Sequence, residues 1–499
     1  MSPDFLKAKW WSWVGRRKVK KGDYESAMPY FQRVLSLFPE SLYAQSYIGY
    51  CLSSVARYDE AIKAFDRALQ IKPDSAYAHA QLGRTLAYLG KSQEAVDEFN
   101  RAFRIDPKLR NNVAYQGPLA AALAKLGEIN KALAAYEEAA RLDPKSADAQ
   151  FGVGWALFNA EKYSEAEQPL RAAIKLNPDH ADAHYNLGLT LHELGSATEA
   201  TEHLEKCVRL KPDFPDAKYC LGLAYYNQKY FHKAVSTYLE GIKLRPDYPD
   251  AYYNLALAYE ELHRDDDALD AYRKAVSLSP NDPLALQNLG VLLARTGKYG
   301  EAIPVWTRVI ELKPDDPTLR VSLGWALGQT GRFRDALHAY EKVLELMPDF
   351  GGAYYNIGLF HWHLHEYQES VEFEKKALAI EPEMAEAYCV LGLSLAAQGK
   401  NEPAREAYEQ ALKLKPEIAE TWHNLGELYL EMARYPEAIQ SFERALQLRP
   451  DIPDTHHSLG LAFWKAGNAS AALQQCEILR ALDSGKESDL RTQIAKSQT

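Results

Sequence analysis

Residues 181–214 read ADAHYNLGLTLHELGSATEATEHLEKCVRLKPDF, and residues 215–248 read PDAKYCLGLAYYNQKYFHKAVSTYLEGIKLRPDY. In register, both carry an acid at position 2 (Asp182, Asp216), glycine at 8 (Gly188, Gly222), alanine at 20 (Ala200, Ala234) and proline at 32 (Pro212, Pro246). Working outward, that proline returns every 34 residues from Pro39 to Pro450. One step is 37, between Pro107 and Pro144, where Arg110, Asn111 and Asn112 are the three extra residues. A fixed period of this length marks a repeat architecture.

The register gives about fourteen repeats. Residues 1–7 are read as an N-terminal extension, 8–109 as repeats 1–3, 110–112 as the insertion, 113–486 as repeats 4–14, and 487–499 as a tail or short capping helix. Position 8 is glycine or alanine throughout, and position 24 is usually aromatic, as in Phe31, Tyr238, Trp306 and Phe442. Two helices approach closely only where one lacks bulk, and a ring opposite fills the remaining volume. The proline ends the second helix, because it donates no backbone hydrogen bond and restricts its predecessor. Each repeat therefore reads as a helix-turn-helix that buries its apolar face only by stacking on neighbours.

This spacing of small, aromatic and proline positions resembles the tetratricopeptide repeat family over roughly residues 8–486. The resemblance implies an all-α fold, an α-solenoid wound as a right-handed superhelix, with first helices lining a concave groove that binds protein segments. It implies no catalytic domain, and 34-residue periods leave no room for one. No glycine-rich phosphate loop, paired-cysteine zinc motif or nucleophile elbow occurs, so we expect no enzyme activity, no cofactor and no metal site. A net charge of −10 argues against nucleic acid as partner. No stretch is apolar enough to span a membrane and no apolar signal region opens the chain, so a cytoplasmic protein with five scattered thiols is expected.

By helical spacing, positions 2, 5, 6, 9, 12 and 13 of each first helix share one side. In repeats 1–3 that side carries Lys9, Arg16, Lys20 and Arg84 among Tyr43, Tyr47, Tyr50, Tyr77 and Tyr88. Its sign then reverses. Asp148, Asp182, Asp216 and Asp250 occupy position 2, with Glu193, Glu260 and Glu261 at positions 12 and 13 and Tyr185, Tyr219 and Tyr253 at position 5. An acid in a first helical turn is favoured by the helix dipole, by about 0.3–1 kcal/mol, without any ligand. The glutamates, far from the helix start, have no such reason. Expected partners are extended segments bearing Lys or Arg.

Position 6 carries Asn186, Asn254, Asn288, Asn356 and Asn424, amides able to donate to and accept from a peptide backbone. This is similar to the asparagine ladder in the repeat region of O-linked N-acetylglucosamine transferases, interrupted here by Gly152, Cys220, Ser322, Val390 and Ser458. Position 5 has no Lys or Arg, which disfavours the chaperone-tail capture known in the family. Trp155, Trp325 and Trp362 are candidate anchors on the same face.

Three places depart from the pattern. In repeat 11, Glu374 replaces the core aromatic and Ser370 the alanine. Either His361 pairs with Glu374, or a helix shift puts Phe373 inside and Glu374 in water; His361, His365 and Glu374 are also a conceivable metal set. At the N-terminus, Trp10, Trp11 and Trp13 lie among Arg16, Arg17 and Lys18, a pattern for a membrane surface or a partner. Gly117 and Pro118 are expected to interrupt the first helix of repeat 4. Leu490 and Ile494 would turn a short capping helix toward the last repeat, and homo-oligomers through the terminal repeats are a further expectation.

Overall fold

The computed structural model describes residues 2–496, and among them every regular element is helical apart from loops and turns. The chain divides into two compact units, Met1–Arg264 and Asp265–Thr499. The first holds seven antiparallel hairpins, from Pro3–Lys20 with Tyr24–Leu37 to Pro215–Asn227 with Phe231–Leu244, and then the helix Pro249–Glu261. The second begins with Asp265–Leu278, continues through six hairpins from Pro283–Arg295 to Ala469–Leu482, and ends in Ser484–Lys496. Both units are all-α solenoid.

Local chemistry sets the helix limits. Ser41, Ser75 and Ser146 cap first helices by accepting from the backbone N–H three residues on, at 3.2–3.4 Å. In several others the first helical residue is proline, as in Pro215 and Pro317, where its missing donor costs nothing. The turn between paired helices needs a left-handed residue at position 15 in every repeat. Eight repeats supply glycine, such as Gly90 at φ +87°, and six force another residue into that conformation, among them Glu161 at +59° and His365 at +63°.

The core follows the small-to-large rule. A methyl placed on Gly222 would lie 2.5 Å from the Tyr238 ring, and one on Gly426 2.6 Å from Phe442. Those rings are fully buried. In repeat 14 the residue at position 24 is the small Cys476, and Leu490 from the last helix reaches back to fill the place facing Gly460.

One expectation is corrected. Helix Val113–Lys125 runs unbroken through Pro118. The carbonyl that Pro118 deprives of a donor belongs to Ala114, an exposed residue that water can serve, while Gly117 has no Cβ to clash with the proline ring. The insertion is absorbed beforehand by a 3₁₀ turn, Pro107–Asn111. The first helix starts at Pro3, capped by Ser2, so residues 3–7 lengthen repeat 1. Trp11 packs against the core of that repeat, while Trp10 and Trp13 stay 56% and 51% exposed.

Candidate peptide-binding groove

The position 2 acids of repeats 6 and 7 meet a base from their own repeat. Lys211 lies 3.4 Å from Asp182, and Arg245 holds both oxygens of Asp216 at 2.8 Å. Each base sits at position 31, just before the ladder proline. The same link joins Glu386 to Lys415 and Glu420 to Arg449 in the second unit. Both bases of the first unit also lie over a ring at position 34, Lys211 over Phe214 at 4.5 Å and Arg245 over Tyr248 at 4.7 Å. Those rings pack in turn on Tyr185 and Tyr219, with centroids 5.0 Å apart. Acid, base and two rings thus form one closed clasp per repeat.

Repeats 5 and 8 lack the clasp base, since position 31 is Asn177 and Ser279. Asp148 keeps 94% of its side chain in solvent, with the His180 ring 3.5 Å away. Asp250, Glu193 and Glu261 are also exposed, while Glu260 and Tyr253 are partly covered. Exposed acids therefore lie on the first helices of repeats 5, 6 and 8, while Asp182 and Asp216 are already paired from within.

The asparagines each spend a donor inside the protein. Asn186, Asn254 and Asn356 donate to the backbone oxygens of Asp182, Asp250 and Gly352 at 2.7–2.9 Å. Asn254 also donates to the Tyr219 hydroxyl, and Asn288 to that of Tyr272. Asn424 bonds the Cys389 thiol. Asn186 and Asn356 each keep a second amide N–H, and with the amide oxygens this remains on offer to a peptide. Burial pushes the Cys220 thiol, behind Tyr185, up to about 11, which makes it a neutral wall residue. All five cysteines are free thiols.

Of the tryptophans, Trp155 and Trp362 are partly buried, and Trp325 is 40% exposed with its edge against Tyr299. Neither expectation for His361 and Glu374 survives. Glu374 is fully buried at position 24, with both carboxylate oxygens unpartnered among the described residues, and Phe373 is the residue left part-exposed. His361 turns to Glu366 at 2.7 Å and stacks on Phe373, while His365 bonds the Tyr367 hydroxyl. The backbone keeps its register because all fourteen repeats share one turn geometry, so the acid is carried inward. Among the described residues no group of three or more His, Cys, Asp or Glu is arranged for a metal, and no helix is long and apolar enough to cross a membrane.

Comparison with known proteins completes the assignment. One tetratricopeptide repeat model matches residues 118–174, 155–215, 219–283, 321–385, 389–453 and 423–487, and two further models of the same description match 18–80, 54–126 and 271–303. No curated protein matches the chain. Similar solved structures include YrrB, described as a TPR protein with an unusual peptide-binding site, at 26% identity over 39% of this chain and 98% of that one, TM-score 0.34. Others are the Cut9–Hcn1 hetero-tetramer of the APC/C (16%, 91% and 96%, TM-score 0.40) and PilF of Pseudomonas aeruginosa (22%, 43% and 95%, TM-score 0.38). With a 34-residue helical hairpin repeated along both units and the family's models matching most of its length, the chain belongs to the tetratricopeptide repeat family.

Proposed function

We propose that this protein is a non-enzymatic interaction scaffold that takes extended segments bearing Lys or Arg along the first-helix face of repeats 5–8. The observation that carries the reading is the exposed, unclasped Asp148, with Asp250, Glu193 and Glu261 on the same face beside the tyrosine rungs. These acids are available to a partner's cations, whereas Asp182 and Asp216 would first have to release Lys211 and Arg245. Asparagine oxygens supply acceptors for backbone N–H groups along the segment.

The test is fluorescence anisotropy with a labelled extended Lys/Arg peptide against wild type and an Asp148→Lys, Glu193→Lys, Glu261→Lys variant. Binding should weaken roughly tenfold or more in the variant and fall with salt in the wild type. Equal affinities would remove the reading.

A second reading has its own support. Leu6, Trp10 and Trp13 are exposed along one side of helix Pro3–Lys20, with Lys9, Arg17 and Lys20 beside them. That side suits an anionic membrane surface, in an assembly whose copies associate through terminal repeats. Co-sedimentation with anionic but not neutral vesicles, lost in Trp10→Ala, Trp13→Ala, supports it; equal recovery without lipid counts against it.

A further inference from the structure

Positions 2, 5, 6, 9, 12 and 13 of repeats 1–4 contain Lys9, Arg16, Lys20, Arg84 and Lys125 and not one acid. Arg84 has no carboxylate close by among the described residues. Its guanidinium lies 5.0 Å over the Tyr50 ring, and its Nε is buried without a hydrogen-bond partner. One turn earlier, Gln81 is 4% exposed and donates through Nε2 to the Tyr115 hydroxyl at 3.2 Å, which leaves its buried Oε1 unpartnered too. An unpaired cation and an unpaired acceptor therefore sit side by side, walled by Tyr50, Tyr77 and Tyr115.

Arginine keeps its charge at any accessible pH, so this desolvation cannot be relieved by losing a proton. It is relieved by an anion. We propose that Arg84 is the anchor of a second peptide site, which takes an extended segment through an anionic side chain, with the segment's own backbone N–H donating to Gln81 Oε1. Upstream, a cleft of about 930 Å³, lined by Phe5, Lys9, Arg16 and Leu37 and also by Glu40, receives a bulky apolar side chain of the same segment. The site has the opposite charge preference to the acidic face of repeats 5–8 and does not depend on it.

The test uses the full chain and labelled extended peptides of alternating leucine with glutamate, with phosphoserine or with lysine. A glutamate or phosphoserine peptide should bind the wild type, the better of the two identifying the source of the anion, while the lysine peptide should not use this site. Arg84→Gln should weaken the anionic peptide about tenfold or more. Because Arg84 is half-buried, Tyr88→Glu serves as the second variant: Tyr88 is exposed, and a glutamate one turn beyond Arg84 supplies a carboxylate from within. It should abolish binding with unchanged helicity. The Asp148→Lys, Glu193→Lys, Glu261→Lys variant should bind the anionic peptide as wild type does. Wild-type affinity in both Arg84→Gln and Tyr88→Glu, or no anionic peptide bound at low salt, would overturn the proposal. So would a dimer that Arg84→Gln dissociates, which would make a second copy the occupant.

Discussion

Arg245 donates to both carboxylate oxygens of Asp216 at 2.8 Å across twenty-nine residues of sequence, while its guanidinium lies over the Tyr248 ring. The pair joins the start of a first helix to the end of the following second helix, so it fixes the loop that hands one repeat to the next. Both side chains are about one-third exposed, which tempers the Coulomb gain. A double-mutant cycle with Asp216→Ala and Arg245→Ala should give a coupling of about 0.5–1 kcal/mol in urea unfolding. The Asp216→Arg, Arg245→Asp swap should recover part of it, and zero coupling would reduce the clasp to coincidence.

Glu374 gives repeat 11 a pH dependence of its own. Burial pushes its carboxyl from 4.5 up to about 10, so the folded repeat keeps the proton while the unfolded chain releases it. Stability is then fully present below about pH 4.5 and declines as pH rises toward 10, by about 3 kcal/mol at pH 7. Glu374→Gln should flatten this slope between pH 5 and 8. Glu374→Tyr, copying Tyr408 of the next repeat, should raise stability; a loss in both variants would show that the buried acid is not the source.

His184 and His203 respond to acid with the opposite sign. The Nε2–H of His184 donates to Pro178 O at 3.1 Å, so its Nδ1 accepts from His203 Nδ1 at 2.9 Å, which requires at least one neutral ring. Burial lowers both from the ordinary value of 6.5, against the opposing pull of Glu199 on His203 and of Asp179 on His184. Their contribution is present above about pH 6.5 and is lost as pH falls through the lowered values. In repeat 14 the equivalent of His203 is Gln475, bonded to His456 at 2.7 Å. His203→Gln should therefore keep neutral-pH stability and remove the acid sensitivity of helices Ala181–Glu193 and Ala197–Leu210, read by pulse proteolysis at pH 5 and 7.

At Gly222 the Tyr238 ring leaves no space for a methyl group. Gly222→Ala should cost about 1–3 kcal/mol through overpacking, and hydrogen exchange should rise mainly in that hairpin and its neighbours, since solenoid repeats are coupled nearest to nearest. Tyr238→Phe removes a buried hydroxyl without a partner and should be neutral or stabilising by up to about 1 kcal/mol.

Much of this molecule was legible in the residues. The proline ladder and Gly222 facing Tyr238 repeat within one period, so hairpins and core positions could be read directly. Pro118 could not, because whether a proline breaks a helix depends on what serves the carbonyl it orphans. Trp11 was not told from Trp10 and Trp13, although it alone turns to the core while the other two share the exposed side of the helix. The clasp left a signal in the sequence, an acid at position 2 and a base at position 31, but its meaning required the two ends of a repeat to be brought together.

Helix limits, the turn at position 15, the closely packed hairpin core and the reversal of charge along the first-helix face all follow from residues within about one repeat. Short-range sterics and backbone hydrogen bonding fix them wherever the repeat occurs. Which charges stay unpaired follows from stacking instead. Asp216 is spent and Asp148 is left exposed because one repeat offers Arg245 and another Asn177 at the place where helix end meets helix start. Arg84 stands alone because no neighbouring first helix brings an acid to its side, and Glu374 is buried because the shared turn geometry leaves its helix no other rotation.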